Sequence, residues 1–294
     1  MKNTIVYITD PKVASGGYAD RITGMALLFR ISQSFNCNFK IHFKHPFDFF
    51  KIFPKKKNEY EFDQNLINTS NSNIKFFNLI DDNFNNGIDQ LCKSLIQENG
   101  IIALVLINNI KSFIFDPLFN RFIAISHNQL DADDIERSIL YDFSNKFLDY
   151  NLDYFNSNLI NLIPKFKQNT IGIQIRLGGS NLYWTDPNFK IPDIDSIILK
   201  LNELEDSFTQ IFLCSDNIDY KNKIFKVLND KWITIVLEET PLHLERSSHE
   251  HSNFVTRVLG DHLLLTECSV GVIICGGGYG RTAAIISQKP YFRV

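Results

Sequence analysis

Four segments of the sequence lead from an apolar, strand-like run towards a helix-like pattern and carry glycine, arginine or aspartate at the junction. They are residues 15–21 (SGGYADR), 171–179 (IGIQIRLGG), 213–216 (LCSD) and 275–282 (CGGGYGRT). In open α/β sheets, ligands bind beyond the carboxyl ends of the strands, where such loops enter helices. Glycine lets a backbone approach a ligand closely, and the N–H groups of a helix N-terminus attract anions. We therefore expect these loops to bind an anionic ligand.

Arg176 is the most informative residue of the four loops, because an arginine that ends an apolar strand needs an anionic partner. Its planar guanidinium can hold a phosphate with two hydrogen bonds and stays charged. A salt bridge to a carboxylate across the sheet is the alternative. Asp216 could accept a hydrogen bond from a ribose hydroxyl or a base amine, and it could equally cap the next helix.

The loop after the last predicted strand is suited to a pyrophosphate, because three consecutive glycines precede a helix N-terminus that carries a cation. Its residues are Gly277, Gly278, Tyr279, Gly280, Arg281 and Thr282. The loop lacks the Lys-Ser/Thr ending of a P-loop, so the sequence does not imply NTP hydrolysis.

The first loop supplies Gly16, Gly17 and Arg21 for contacts to an anion and Asp20 as a carboxylate. Asp20 could serve as a helix cap, as a catalytic group, or as both. The loop is not a GxGxxG fingerprint, and the second predicted strand does not end in an acidic residue. A nicotinamide-dependent oxidoreductase is therefore not supported.

No metal or other cofactor is predicted. The three histidines of PLHLERSSHEH fit no zinc signature, and the sequence contains no CxxC pair. These histidines are His243, His249 and His251. We expect a polar loop around them, and a structural role for Asp261 in the last long helix.

The composition is that of a globular protein, with 294 residues, 44% hydrophobic and 21% charged. A net charge of −3 provides no basic field for a nucleic acid. The five widely spaced cysteines are expected to be reduced thiols, which favours a cytoplasmic protein. The apolar runs are too short for a membrane span, and the N-terminal segment turns polar too early for a signal peptide, so we expect neither.

Strand-like and helix-like segments alternate along the chain, which predicts an α/β protein with parallel sheets. The length fits two compact domains, which we place at residues 1–160 and 161–294. Strands are predicted at residues 101–107 and 170–175, and helices at residues 116–150 and 254–267. Residues 54–73 are interpreted as a surface loop.

Together these segments resemble the GDP-fucose-dependent fucosyltransferases of the α1,2/α1,6 and protein O-fucosyltransferase superfamily, which includes the nodulation fucosyltransferases. The resemblance rests on GGYADRITGM, IGIQIRLGG, IFLCSD, PLHLERSS and DHLLLTECSVGVIICGGGYGRTAA, which occur in the family's order. It covers most of the C-terminal half and the N-terminal glycine loop with its helix.

The resemblance implies a GT-B architecture, with an acceptor-side and a GDP-sugar-binding Rossmann-like domain whose parallel sheets face a central cleft. It implies an inverting, metal-independent transfer of fucose from GDP-fucose to a hydroxyl group of a glycan acceptor. Arg176 takes the place of the arginine that holds the donor pyrophosphate, and Asp216 the place of a residue near the nucleoside. Asp20 takes the place of a polar residue near the acceptor.

Further donor contacts are implied in the same way. They involve Gly16, Gly17, Arg21, Gln174, Gly178, His243, Gly277, Gly278, Tyr279, Gly280, Arg281 and Thr282. Relatives usually carry histidine where Gln174 stands, and serines where this chain has glycines in the last loop. Backbone N–H groups would therefore replace hydroxyl donors there.

Two other functions stay open at the level of sequence. A GT-B transferase for another GDP- or UDP-sugar would have similar loops, and a non-catalytic nucleotide-sugar-binding protein could keep the same fold. The presence of Arg176 argues against the second. The expected partners are a nucleotide-sugar donor and a glycan acceptor, with the acceptor on the weakly matched residues 45–150.

Overall fold

The computed structural model describes residues 1–10, 17–63, 65, 73–80, 84–107, 132–177, 191–238 and 253–294. The chain forms two compact units, Met1–Asn151 and Leu152–Val294. In the described ranges each unit contains one parallel β-sheet with helices. The boundary expected after residue 160 lies inside the helix Ser157–Phe166, which belongs to the second unit.

The first unit is built on a four-stranded sheet in the order β2-β1-β4-β3, with parallel pairing throughout. Its strands are β1 (Thr4–Ile8), β2 (Asn38–His42), β3 (Asn73–Leu79) and β4 (Ile101–Ile107). Its described helices are α1 (Tyr18–Ser34), α2 (Phe49–Ile52), α3 (Lys57–Tyr60), α4 (Phe84–Gln97) and α5 (Ala132–Phe147). The continuous apolar run of β4 suits its central place, because such a strand is covered on both faces.

Helix α1 lies unusually close to β4 because Gly24 has no side chain. A Cβ atom there would lie 3.0 Å from Cγ2 of Ile107. On another side, the ring of Phe29 packs edge-on against Phe143 and Phe147 of α5. These contacts bury most of α1 and fix the direction in which its N-terminus points.

The second unit is built on a five-stranded parallel sheet in the order β7-β6-β5-β8-β9. Its strands are β5 (Thr170–Ile175), β6 (Gln210–Ser215), β7 (Ile233–Ile235), β8 (Gly271–Cys275) and β9 (Tyr291–Arg293). Its described helices are α6 (Ser157–Phe166), α7 (Ile194–Glu203), α8 (Ile218–Asn229), α9 (Phe254–Glu267) and α10 (Tyr279–Ile286). From β5 the chain passes to β6 and then to β7 at one edge of the sheet. It then returns to β8, on the other side of β5, and ends with β9 at the opposite edge.

Local pattern predicted some elements better than others. The strands at residues 101–107 and 170–175 and the helix at residues 254–267 have the predicted bounds. Helix α6 was missed because Pro164 lies inside it, although Asn156 caps its first turn. Residues 54–73 are not simply a loop, since they include a 3-10 turn at Pro54–Lys56 and α3.

Part of the predicted helix at residues 116–150 lies outside the described residues, and Ala132–Phe147 is its described portion. Within the described ranges, no helix combines the length and the hydropathy that a membrane span requires.

Candidate functional site

The order of the second sheet defines where a ligand would bind. The strand order reverses between β5 and β8, and in doubly wound sheets ligands occupy the crevice beyond the carboxyl ends at this switch point. The residues that leave β5 and β8 there are Arg176 and the glycine run that starts at Gly276. Asp216 follows the neighbouring strand β6 at the same edge. Three of the four loops singled out in the sequence therefore meet at one place.

Contacts to three residues in the described part of the chain help to hold Arg176. Its backbone N–H donates to the carbonyl of Cys275 at 2.9 Å, which joins the end of β5 to the end of β8. Its Nη1 lies 2.9 Å from Oδ2 of Asp216, and 22% of the side chain is exposed. The aliphatic stem lies against Gly277, where a Cβ atom would be 3.2 Å from Cγ of Arg176. The salt bridge considered from sequence is thus present.

Asp216 does not cap the helix that follows it. Asn217 is the N-cap of α8, and its side chain accepts a hydrogen bond from the N–H of Tyr220 at 2.9 Å. Oδ1 of Asp216 instead accepts from the backbone N–H of Leu177 at 2.8 Å. The carboxylate therefore binds both the side chain and the backbone of the segment after β5.

The glycine run turns directly over the end of β5. Gly276 and Gly277 have φ angles of 85° and 74°, in the left-handed region that favours glycine. Gly278 is the N-cap of α10 and uses no side chain to satisfy the first N–H groups of the helix. Gly280 lies so close to β5 that a Cβ atom would be 2.8 Å from Cβ of Gln174. The loop thus presents backbone N–H groups beside a guanidinium, an arrangement that suits a phosphate.

Tyr279 and Thr282 of α10 are held by α9. The hydroxyl of Tyr279 donates to the carbonyl of Val258 at 2.8 Å and accepts from the backbone N–H of His262 at 2.9 Å. Oγ1 of Thr282 donates to the carbonyl of Tyr279 at 2.8 Å and lies 3.1 Å from Nε2 of His262. These side chains anchor the start of α10 to α9.

Arg281 is buried, with 4% of its surface exposed. Its Nε lies 3.4 Å from the hydroxyl of Tyr291, and its guanidinium lies 5.7 Å from the centre of that ring. In its described contacts Arg281 thus packs against β9, whereas Arg176 contacts Asp216 and Gly277.

Gln174 of β5 packs against Gly280 and is buried, with 3% exposed. Its Oε1 has no hydrogen-bond partner among the described residues. In the sheet register it is paired with Cys214, so the two side chains lie on the same face. A buried acceptor without a partner is unfavourable in the unliganded protein, and a ligand donor would relieve that cost.

Asp261 is a buried carboxyl to which the sequence analysis gave only a structural role. Burial raises its pKa to about 7, and the nearby ammonium group of Lys221 opposes this rise. Asp261 in turn helps to raise the pKa of the Cys214 thiol, a shift caused mainly by burial. Its helix α9 contacts β6, the strand that carries Cys214. Strongly perturbed carboxyls concentrate at functional sites. The sequence signal was an acidic residue in the segment VLGDHLLL of α9, in which His262 is the other polar residue.

In the first unit, Asp20 acts at the N-terminus of α1. Its Oδ2 accepts from the backbone N–H of Gly17, the N-cap residue of the helix, at 2.8 Å. Arg21 is 2% exposed, and its guanidinium lies 5.5 Å from the centre of the Phe43 ring. Asp20 is therefore not the N-cap residue considered from sequence, which is Gly17, but its carboxylate caps the helix from the first turn and lies at the positive end.

Some predicted site residues lie outside the described residues. These are Gly16, Gly178 and His243, together with His249 and His251. In the part of the chain that the structure describes, no group of three or more His, Cys, Asp or Glu side chains is arranged to hold a metal ion.

Comparison with known proteins gives a match in structure and none in sequence. No protein-family model matches the chain, and no curated protein matches its sequence. A solved structure of an Arabidopsis thaliana FUT1 variant in complex with GDP matches 100% of this chain and 70% of its own, at 12% identity and a TM-score of 0.61. POFUT1 in complex with GDP matches 99% of this chain and 98% of its own, at 11% identity and a TM-score of 0.46.

The chain has the fold of Arabidopsis FUT1. That protein is a fucosyltransferase. The fold class expected from the sequence, a GT-B type α/β protein with parallel sheets in two sets, is thereby confirmed. At 12% identity the likeness shows the fold, and the activity has to be argued from the site.

Helix α9 contains two buried titratable neighbours, Asp261 and His262, and they predict opposite pH effects. Burial lowers the pKa of His262 to about 3 and raises that of Asp261 to about 7. Between about pH 4 and 6.5 the unfolded chain holds one proton on His262, whereas the folded protein holds one on Asp261. The two contributions to the pH dependence of the unfolding free energy therefore cancel.

Single variants are expected to remove this cancellation. In Asp261→Asn the uncompensated His262 makes stability fall as the pH is lowered through that range, by about 1.4 kcal/mol per pH unit. In His262→Gln the uncompensated Asp261 makes stability fall by a similar amount as the pH rises. Urea unfolding of both variants and the wild type across the range measures the two slopes. A slope for Asp261→Asn equal to that of the wild type would contradict the prediction.

Proposed function

We propose that the protein is a glycosyltransferase that moves fucose from GDP-fucose to a hydroxyl group of a glycan acceptor. The observation that carries the proposal is Arg176 at the switch point, held beside a glycine run and the N-terminus of α10. The likeness in fold to a GDP-bound fucosyltransferase supports it. In this proposal residues 152–294 bind the donor, and residues 1–151 carry the acceptor.

Transfer of the sugar requires that the charge developing on the GDP leaving group be stabilised. Arg176 supplies a fixed positive charge, and the backbone N–H groups around Gly277 and Gly278 supply dipoles. The buried Oε1 of Gln174 and the carboxyl of Asp261 supply acceptors for N–H or O–H donors of the nucleoside. Arg176 and these backbone N–H groups stabilise the leaving group more as its charge grows, which is the requirement for lowering the barrier.

We further propose that the acceptor hydroxyl attacks the anomeric carbon from the face opposite GDP, so that the configuration inverts. The transition state of such a transfer is oxocarbenium-like, and it makes modest demands on a base. Asp20 is the carboxylate that we propose for orienting the hydroxyl or accepting its proton. We also propose a cytoplasmic location, which the five free thiols support.

Binding of GDP tests the donor. GDP is expected to stabilise the protein against unfolding by about 2.7 kcal/mol at a hundredfold excess over its Kd. UDP and NAD are expected to have no effect at the same concentrations. Thermal-shift measurements with GDP, UDP, ADP and their sugar conjugates provide the comparison. Stabilisation by UDP alone would instead indicate a transferase for a UDP-sugar.

Removal of divalent cations tests the proposed source of leaving-group stabilisation. Fucosyl transfer is expected to continue unchanged in EDTA, because Arg176 and backbone N–H groups supply the charge complement. The initial rate is measured with and without chelator, and again after Mn²⁺ is added back. A rate that EDTA abolishes and Mn²⁺ restores would contradict the proposal and direct attention to the histidines of residues 243–251.

A further inference from the structure

We propose that Asp216 is a positioning residue that fixes the guanidinium of Arg176 for the donor diphosphate, an inference that rests on the proposed function. The sequence resemblance placed Asp216 near the nucleoside, whereas its described contacts are to Arg176 and Leu177. They define a role that acts through Arg176 rather than through the substrate.

The two carboxylate oxygens of Asp216 bind two parts of one segment. Oδ2 lies 2.9 Å from Nη1 of Arg176. Oδ1 accepts from the backbone N–H of Leu177 at 2.8 Å. Because the second contact fixes the carboxylate relative to the backbone after β5, the first contact sets the direction of the guanidinium relative to that backbone.

Asp216 is not needed as the cap of the next helix, which is a common role for a carboxylate that follows a strand. The side chain of Asn217 accepts the N–H of Tyr220, and the N–H of Asn217 donates to Oγ of Ser215 at 3.1 Å. The turn into α8 is therefore satisfied by its two neighbours. The contacts of the Asp216 carboxylate to Arg176 and Leu177 are therefore separate from the capping of α8.

The rest of Arg176 is already constrained, so its head group is the part that Asp216 controls. The backbone is bound to Cys275, and the stem lies against Gly277. An arginine side chain loses considerable rotamer freedom when it is ordered. An arginine that is ordered before the donor arrives avoids that loss during the reaction, which is the advantage of a preorganised site.

Asp216→Asn removes the contact that orients the guanidinium of Arg176, while Arg176 keeps its positive charge. Its amide oxygen can still accept from Leu177, but the amide nitrogen then faces Nη1 of Arg176, and two donors cannot pair. The variant also removes a negative charge beside a site for a diphosphate, so the attraction of GDP is not weakened. We expect kcat to fall by about 10–100-fold and the Kd for GDP to change by less than about threefold.

The first experiment observes Arg176 without any nucleotide. In protein labelled with ¹⁵N and ¹³C arginine, the Arg176 side-chain signal is identified by its absence in Arg176→Lys. Rotation about its Cζ–Nε bond is expected to be slow in the wild type and fast in Asp216→Asn. Asp219→Asn, which removes an exposed carboxylate from the first turn of α8, is the matched control and is expected to resemble the wild type. Equal rotation rates in the wild type and Asp216→Asn would overturn the proposal.

The second experiment is a double-mutant cycle in kcat with Arg176→Lys and Asp216→Asn. If Asp216 acts through Arg176, the double variant is expected to be about as slow as Arg176→Lys alone. Additive losses would overturn the proposal, because they would mean that Asp216 acts independently of Arg176. Asp216→Ser, which keeps a hydroxyl acceptor for Leu177, serves as a second variant if Asp216→Asn does not fold.

The two experiments separate this inference from the proposed function. A wild-type protein that does not bind GDP would contradict the proposed function. The rotation measurement would still decide whether Asp216 positions Arg176, since it uses the nucleotide-free protein.

Discussion

Arg176→Lys is expected to lower kcat for fucosyl transfer by about 10²–10³ while leaving the melting temperature nearly unchanged. Lysine keeps the positive charge and can still reach a carboxylate, so the ion pair with Asp216 is largely retained. It loses the planar fork that binds a diphosphate through two N–H groups at once. The defect should therefore appear in turnover and GDP binding rather than in folding.

Three measurements decide the Arg176 prediction: kcat, the Kd for GDP and the melting temperature. Arg293→Lys is the matched control, because Arg293 is an exposed arginine of β9. It is expected to leave all three quantities unchanged. Near-normal turnover of Arg176→Lys together with a lowered melting temperature would mean that Arg176 serves only as a structural partner of Asp216.

Gly277→Ala is expected to damage both stability and activity, because two unfavourable effects act in the same direction. The residue has a φ angle of 74°, and a side chain in the left-handed region costs about 1–2 kcal/mol. Its Cβ atom would also lie 3.2 Å from Cγ of Arg176 and would press on that side chain. A displacement of the guanidinium by about 1 Å is enough to lower kcat by about 10²-fold.

Gly278→Ala provides the stability control for Gly277→Ala. Gly278 has a φ angle of −92° and a ψ angle of −12°, which alanine adopts without strain. Thermal unfolding of the two variants is therefore expected to differ, with a lower melting temperature for Gly277→Ala only. Equal melting temperatures would show that the turn accommodates a side chain at Gly277, and the assignment of a strained, closely packed loop would be wrong.

The sequence predicted the fold class because the fold class depends on local pattern. Continuous apolar runs such as Ile101–Ile107 and Thr170–Ile175 indicate strands covered on both faces, and helical spacing between them indicates crossover helices. The elements that were missed depend on distant partners. Strand β9 is three residues long and exists through its pairing with β8. Helix α6 contains a proline that local propensity counts against a helix.

The residue types of the candidate site were also visible in the sequence, since the glycine run and the arginine each follow an apolar run. Their roles were not visible. Tyr279, Arg281 and Thr282 belong to the same short motif as Gly277, yet their side chains contact α9 and β9. Which face of α10 is covered depends on helices and strands that are remote in sequence.

The sequence by itself determined that this protein alternates strands and helices and that its charged and glycine-rich loops follow strands. Only the tertiary structure decided that β5 lies between β6 and β8, and this order brings Arg176, Asp216 and Gly277 to one edge. Leu177 and Asp216 are 39 residues apart in the chain. Hydrophobic periodicity extends over one element at a time, whereas the partner of a side chain at a strand end is set by which strands are neighbours, and that depends on how the whole sheet assembles.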